Sequence, residues 1–386
     1  MFGSMFIGLS GMNAYSNGLR QISNNITNLN STGFKSSSTT FEDVVRAGFR
    51  SGSGTGQGVS LGSSRLDFAQ GEMRQTTRSL DLAIDGDGFL VLLRDADKFF
   101  ARTGSFEVNA SGDIVLAGTD YKLAVMDGSG NPSPLSINSH RTFPPKKSTV
   151  AKLSGNLSST ATSFNLANVK VYDTAGESDN WQVRFERAAT DPAGQWSVVV
   201  KNGAGATIGT QTLKFINGAI DPATAQLTFT DAAEDRTMMF DFSQNMTSFS
   251  AGEVSTVRTT SVDGYGLGEV IDVRVTDKGA LELVYSNEQT KILGSVAVAT
   301  FTSPQSLQQR SGGLFTNDSS IGVDFSAGGR QGVGRAMSKR LEASNVDLSK
   351  QFGELILVQR GYQASSQIVS ISNDMIQQLF GIRGQG

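Results

Sequence analysis

The chain has no cysteine and a single histidine, His140, among 386 residues. Without cysteine there is no disulfide, no thiolate nucleophile and no thiolate metal site. One histidine leaves zinc almost entirely to carboxylates, a ligand set it rarely takes. A Ser–His–Asp triad would have to use His140, in "SINSHRTFPP", a polar stretch before two prolines that reads as a surface loop. No grouping of acid, base and nucleophile replaces it, so the expectation is a non-enzyme with no catalytic, cofactor-binding or metal residues. Charge is also scarce. Asp, Glu, Lys and Arg make up 18% of the chain and the net charge is −3, which gives no electrostatic basis for binding nucleic acid. No run approaches the eighteen or more apolar residues of a membrane span, so membrane insertion is not expected. The start, "MFGSMFIGLSGM", is apolar but lacks the positive segment of a secretory signal, the first basic residue being Arg20. The expectation is either a cytoplasmic protein or one exported without a cleaved signal. Proline is rare (7) beside 44 glycines, as in a chain of many turns and hairpins.

What is present is two similar ends and a different middle. Met12, Tyr15, Leu19, Ile22, Ile26 and Leu29 fall at alternating steps of three and four, and Leu9 extends the series. Leu348, Leu355, Tyr362, Val369 and Ile376 recur every seven residues, with Phe352, Val358 and Leu379 alongside. Both patterns are those of helices packed along a narrow seam. Ser344, Asn345 and Asp347 are candidates to cap the second helix. Between the ends the period becomes two: "DLAIDGDGFLVL" (81–92), "DIVLAG" (113–118), "DVRVTDKGALELVY" (272–285) and "VAVATF" (296–301) read as strands. Residues 148–261 form a further β-rich block, where Trp181, Val183, Phe185, Trp196, Val198 and Val200 alternate as a separate core. The fold class expected is therefore mainly β, with nested discontinuous β domains bracketed by long N- and C-terminal helices packed as a coaxial pair.

Two loops invite a ligand reading and do not sustain it. "RSGSGTGQGVSLG" (50–62) has G-x-G spacing but no strand before it, so Gly52, Gly54, Gly56 and Gly58 read as a hinge or linker rather than a dinucleotide site. "DGDGF" (85–89) lacks the later ligands of a calcium loop and reads as a tight turn.

The helical ends are unusual in being neutral. Residues 1–34 carry one charge, Arg20, and the face opposite the apolar stripe is Asn, Ser and Thr. Like charges repeated on many identical subunits would repel at close range, whereas amides and hydroxyls hydrogen-bond to each other. Gly11, Gly18 and the asparagines of 24–30 also lower helix propensity. The expectation is a homo-oligomer, a helical polymer of many copies, whose ends are largely disordered in the free subunit and become helical on assembly. The plainer alternative is an intramolecular helical hairpin within one domain.

"LSGMNAYSNGLRQISNNITNLNSTGFK" (9–35) and "LEASNVDLSKQFGELILVQRGYQASSQIVSISNDMIQQL" (341–379) resemble the terminal signatures of the bacterial flagellar rod and hook protein family. "SLDLAIDGDGFLVL", "FARTGSFEVNASGDIV" and "YSNEQTKILGSVAVATF" resemble its body, and the large insertion 148–261 together with "SNEQTKILG" (286–294) is most similar to the hook branch. That resemblance implies a core of residues 1–30 plus 350–386 and a linking region of 31–75 plus 331–349. It also implies an inner β domain of 76–147 plus 262–330 and an outer β domain of 148–261. It implies a hollow, bent tube acting as a universal joint between motor and filament, with the seam residues above as the assembly surface. The partners implied are the rod, hook cap and hook–filament junction proteins and the flagellar export apparatus, and the location is the flagellum outside the cell. A distal rod protein is the alternative within the family. Outside it, an exported enzyme or carbohydrate-binding module would require Trp181 or Trp196 on an open concave face. The family often has an acidic residue beside the position of Leu19; Arg20 and Gln21 stand there here, leaving Glu354 or Asp374 as potential partners for Arg20.

Overall fold

The computed structural model describes residues 2–44, 58–188, 190–232, 234, 236–317, 322–330 and 332–383. It is mainly β with one long helix towards each end, α1 (Phe2–Thr27) and α2 (Leu348–Arg383). Asp347 starts α2, its Oδ1 accepting the backbone N–H groups of Ser349 (2.9 Å) and Lys350 (3.1 Å). α1 stops where asparagine competes for the helix carbonyls: Asn28 Nδ2 donates to Asn24 O at 2.9 Å.

Two compact units divide the chain, one within residues 1–138, 272–283 and 291–386, the other within 139–271 and 284–290. The first begins its sheet with β1 (Asp81–Asp85), β2 (Phe89–Arg94), β3 (Asp97–Ala101), β4 (Thr103–Val108), β5 (Ile114–Leu116) and β6 (Lys122–Met126). Their spatial order is β3-β2-β6-β5-β4-β1, every pair antiparallel. The near-continuous apolar run of β2 is accounted for by burial of Phe89, Leu90, Val91 and Leu92 alike.

The second unit carries β7 (Val150–Asn156), β8 (Ser163–Tyr172), β9 (Ser178–Glu186), β10 (Gln195–Lys201), β11 (Thr207–Ile216), β12 (Gln226–Asp231) and β13 (Arg236–Asp241). β8 to β11 form an antiparallel meander, β12 pairs with β13, and β7 runs parallel to β13. Alternation in β9 and β10 sends Trp181, Val183 and Phe185, and Trp196, Val198 and Val200, into one core at 0% exposure. Their partners on the alternate positions, such as Gln182 and Arg184, face water.

The chain then completes the first unit with β14 (Ala297–Phe301), β15 (Val323–Ala327) and β16 (Arg335–Ser338). β14 joins β2 and β15, and β16 closes on β1. Phe89 lies edge-on to Phe301 (5.5 Å) and Phe315 (5.8 Å) in that unit's core. Three short antiparallel pairs link this sheet to the helices: Ser37–Ser38 with Arg65–Leu66, Phe41–Asp43 with Val59–Leu61, and Met73–Gln75 with Arg340–Glu342.

Candidate assembly surface

α1 and α2 lie against each other in antiparallel register: Gly8 and Gly11 meet Ser365, Gly18 meets Val358, and Asn25 meets Gln351. The intramolecular pairing of the plainer sequence reading is thus present. Its chemistry differs from the apolar seam expected. The residues of α1 that are buried are Gly8, Gly11, Ala14, Gly18, Ile22 and Asn25. Among the described side chains of α2 they are Gln351, Val358, Ser365 and Ser372. Small residues let the backbones approach closely. A Cβ on Gly11 would stand 2.6 Å from Ser365 Oγ, and one on Gly361 would stand 2.5 Å from the Tyr15 ring. At the inner end Asn25 Nδ2 donates to Gln351 Oε1 (2.9 Å) and to Ser37 O (2.8 Å), while Ser37 N–H donates to Asn25 Oδ1 (3.1 Å). Both polar atoms of the buried Asn25 amide are thereby satisfied.

The expected seam residues divide in three. Ile22 and Val358 are buried. Met12, Tyr15, Leu19, Ile26, Leu29, Leu355, Tyr362, Val369 and Ile376 are half-buried along the flanks. Leu9, Leu348 and Phe352 are exposed, and the side chain of Leu379 lies outside the described residues. Sequence reasoning missed the small-residue set, although a signal was there. Gly11, Gly18 and Asn25, and Gln351, Val358, Ser365 and Ser372, are each spaced by seven. That second series runs three positions ahead of the apolar heptad starting at Leu348.

The consequence is an outward apolar face. Phe2 and Phe6 are 70% exposed and Leu357 is 71%, and Ile7, Ile356, Ile368, Ile371 and Met375 are also exposed. Beside the pair is a recess of about 220 Å³ whose lining includes Ile22, Phe41, Glu354, Leu357 and Val358. Phe41 of its lining meets the Tyr15 ring at 5.1 Å, the two rings tilted by 45°. Arg20 is exposed and donates to Asn17, not to Glu354 or Asp374. Gly58 has φ +110 and sits against Ser10 of α1, and Val59 N–H donates to Ser10 Oγ at 3.3 Å. The other hinge glycines, Gly52, Gly54 and Gly56, fall outside the described residues.

The remaining sequence candidates are accounted for by packing. Trp181 and Trp196 are fully buried, so neither forms the open aromatic platform of a carbohydrate-binding module. The carbonyls of Gly86 and Gly88 in the "DGDGF" turn accept hydrogen bonds from Arg102. Among the described residues no helix is long and apolar enough to cross a membrane.

With an outward apolar surface on paired terminal helices in place, likeness to known proteins becomes informative. The flagellar hook protein FlgE of Escherichia coli (strain K12) is 30% identical over 97% of this chain and 98% of its own. The chain belongs to the flagellar hook protein family. The same-named protein of Treponema pallidum (strain Nichols) is 24% identical over 99% of this chain and 100% of its own. Residues 337–382 match the family described as flagellar basal body rod FlgEFG protein C-terminal. That match covers nearly all of α2 and spans rod and hook proteins together, so the full-length relatives are what favour the hook over the rod. The crystal structure of Helicobacter pylori flagellar hook protein FlgE2 covers 71% of this chain and 100% of its own, at a TM-score of 0.47 and 13% identity.

Proposed function

We propose that this chain is a structural subunit of the flagellar hook, many copies of which assemble through α1 and α2 into a hollow, bent tube. The tube works as a universal joint, passing motor torque to the filament. The observation that carries this reading is the division of labour on the helix pair. Mostly glycine, serine and amide residues, with Ile22 and Val358, close the internal seam, leaving Phe2, Phe6, Ile356, Leu357, Ile371 and Met375 outward, more large apolar side chains in solvent than a free monomer usually keeps on one helix pair. The single charge of residues 1–34 lets identical surfaces come together without repulsion.

In this reading residues 1–30 and 350–386 form the tube core, joined by 31–75 and 331–349. Residues 76–147 and 262–330 make an inner β domain and 148–261 an outer one. The glycines of 50–62 act as a hinge, and the half-buried flanks around Met12, Leu19, Leu355 and Val369 complete the contacts between copies. The subunit leaves the cell through the flagellar export apparatus, and meets rod, hook cap and hook–filament junction proteins at the ends of the polymer.

Electron microscopy of the purified full-length chain beside one lacking 1–30 and 350–386 tests the reading. Bent hollow tubes from the first and soluble monomers from the second are expected. Straight tubes would replace the hook with the rod. A full-length chain that stays a compact monomer, with the amides of α1 and α2 already protected, would overturn assembly through the helices.

A further inference from the structure

A buried ionic cluster sits where both helices root in the first unit. Glu342 is wholly buried, as is Lys35, which lies 307 positions away in sequence. Lys35 Nζ donates to Glu342 Oε1 and to the Ala69 carbonyl, each at 2.7 Å. Arg102 Nε donates to Glu342 Oε2 at 3.1 Å, and the rest of its guanidinium reaches the carbonyls of Ile84, Gly86 and Gly88. The Gly71 N–H adds a bond of 2.8 Å to Oε1. The backbone of Glu342 takes part too, its N–H donating to Thr103 Oγ1 (3.1 Å) and its carbonyl accepting from Gly33 N–H (2.8 Å). One residue therefore ties together the segment leaving α1, the region before β1, the start of β4 and the segment entering α2.

The charge count is unequal. Lys35 and Arg102 are two cations on one carboxylate, and Asp67 acts on Lys35 only through space. Burial pulls the Lys35 ammonium below the usual lysine range, and Glu342 is what chiefly opposes that pull. If Lys35 lost its charge, Glu342 would keep Arg102 and the cluster would be neutral. If Glu342 lost its charge, two buried cations would be stranded together, the costlier state.

We propose that Lys35, Glu342 and Arg102 form a latch that fixes the roots of both terminal helices to the β layer of the first unit, held shut by the single carboxylate charge of Glu342. In a hook tube, which rests on the function proposed above, load on the helices enters the β layer through this point. The latch itself is a property of the free subunit, so its test does not depend on whether tubes form.

The test is amide hydrogen exchange on the full-length, unassembled chain. Glu342→Gln is expected to speed exchange roughly a hundredfold at 33–38 and 340–347, as for a broken buried pair, with β9 and β10 unchanged. Lys35→Met alone is expected to have a smaller effect, since Arg102 keeps its partner. The Lys35→Met/Glu342→Gln double variant should exchange more slowly than Glu342→Gln, because one stranded cation is gone. Exchange in Glu342→Gln equal to that of the unaltered chain, or a double variant faster than Glu342→Gln, would overturn the latch. Loss of protection spreading to β9 and β10 would overturn it as well, by making Glu342 a general support of the fold.

Discussion

The helix pair and the core of the second unit solve the same problem in opposite ways. In the second unit the large side chains turn inward: Trp181, Trp196, Phe185 and Phe240 are wholly buried and polar residues face water. In the helix pair the buried positions are mostly glycine, serine and amide residues, with Ile22 and Val358 among them, and many of the large apolar side chains turn outward. The first arrangement is complete in one chain. The second saves its apolar surface for something else, because a seam of glycine and serine buries little hydrocarbon and gains its closeness from backbone approach. Burial thus separates residues that hold the subunit together from residues available to join subunits.

The sharpest way to break this contrast is to place charge on the outward face. Leu357→Asp with Ile371→Asp is expected to abolish tube formation in sedimentation and electron microscopy. The same pair should shift subunit stability by no more than about 0.5 kcal/mol per site, since both side chains are exposed. A large fall in melting temperature would show that the face serves the monomer after all. The converse change is Trp196→Ala, which empties a fully buried site and is expected to cost about 3–5 kcal/mol in denaturant unfolding. Tube formation by the folded fraction should persist.

A smaller effect is expected at the seam. Gly11→Leu drives a side chain into Ser365 and should cost about 1–3 kcal/mol through overpacking. Its readout is loss of helix signal in circular dichroism, while the near-ultraviolet signal of the buried tryptophans stays. An unchanged helix signal would mean that α1 and α2 are not held by close approach. Hydrogen exchange on the free subunit sharpens the comparison further. The helices, with their glycines and amide-rich stretch, are expected to exchange fast and gain protection on assembly, whereas β9 and β10 stay protected throughout.

The smallest expected effect is a pH dependence confined to the second unit. Burial alone would raise the Asp263 carboxyl, but hydrogen bonds from Thr149 and Val150 and the charge of Lys146 outweigh it and hold it below the usual carboxylate range. A lowered folded value contributes stability above the unfolded value and loses it as pH falls through the folded one. Asp263→Asn should therefore flatten the acid limb of the unit's stability curve by about 1 kcal/mol or less, the group being partly solvated. An unchanged acid limb would remove Asp263 from the account.

Much of this was open to reading from residue order. The period of seven placed helices at the two ends, and alternation placed Trp181 to Phe185 and Trp196 to Val200 in a core, because both periods follow from local backbone geometry. Asp347 could be named as a cap for the same reason. The side of the helices that meets its partner could not be read from hydrophobicity. Gly11, Ser365 and Gln351 contribute little to an apolar pattern, and their role depends on size against an opposing surface.

What the sequence alone determined, then, is what each segment can do locally: form helix or strand, avoid charge, forgo thiol chemistry. Local propensity, side-chain period and composition are properties of neighbours along the chain. Only the tertiary structure decided that Lys35, Arg102 and Glu342 share one buried cluster, and that glycine rather than leucine lies between the helices. Both depend on residues hundreds of positions apart being brought together. The free energy of a buried charge or a close backbone contact exists only once its partner from the far end of the chain has arrived.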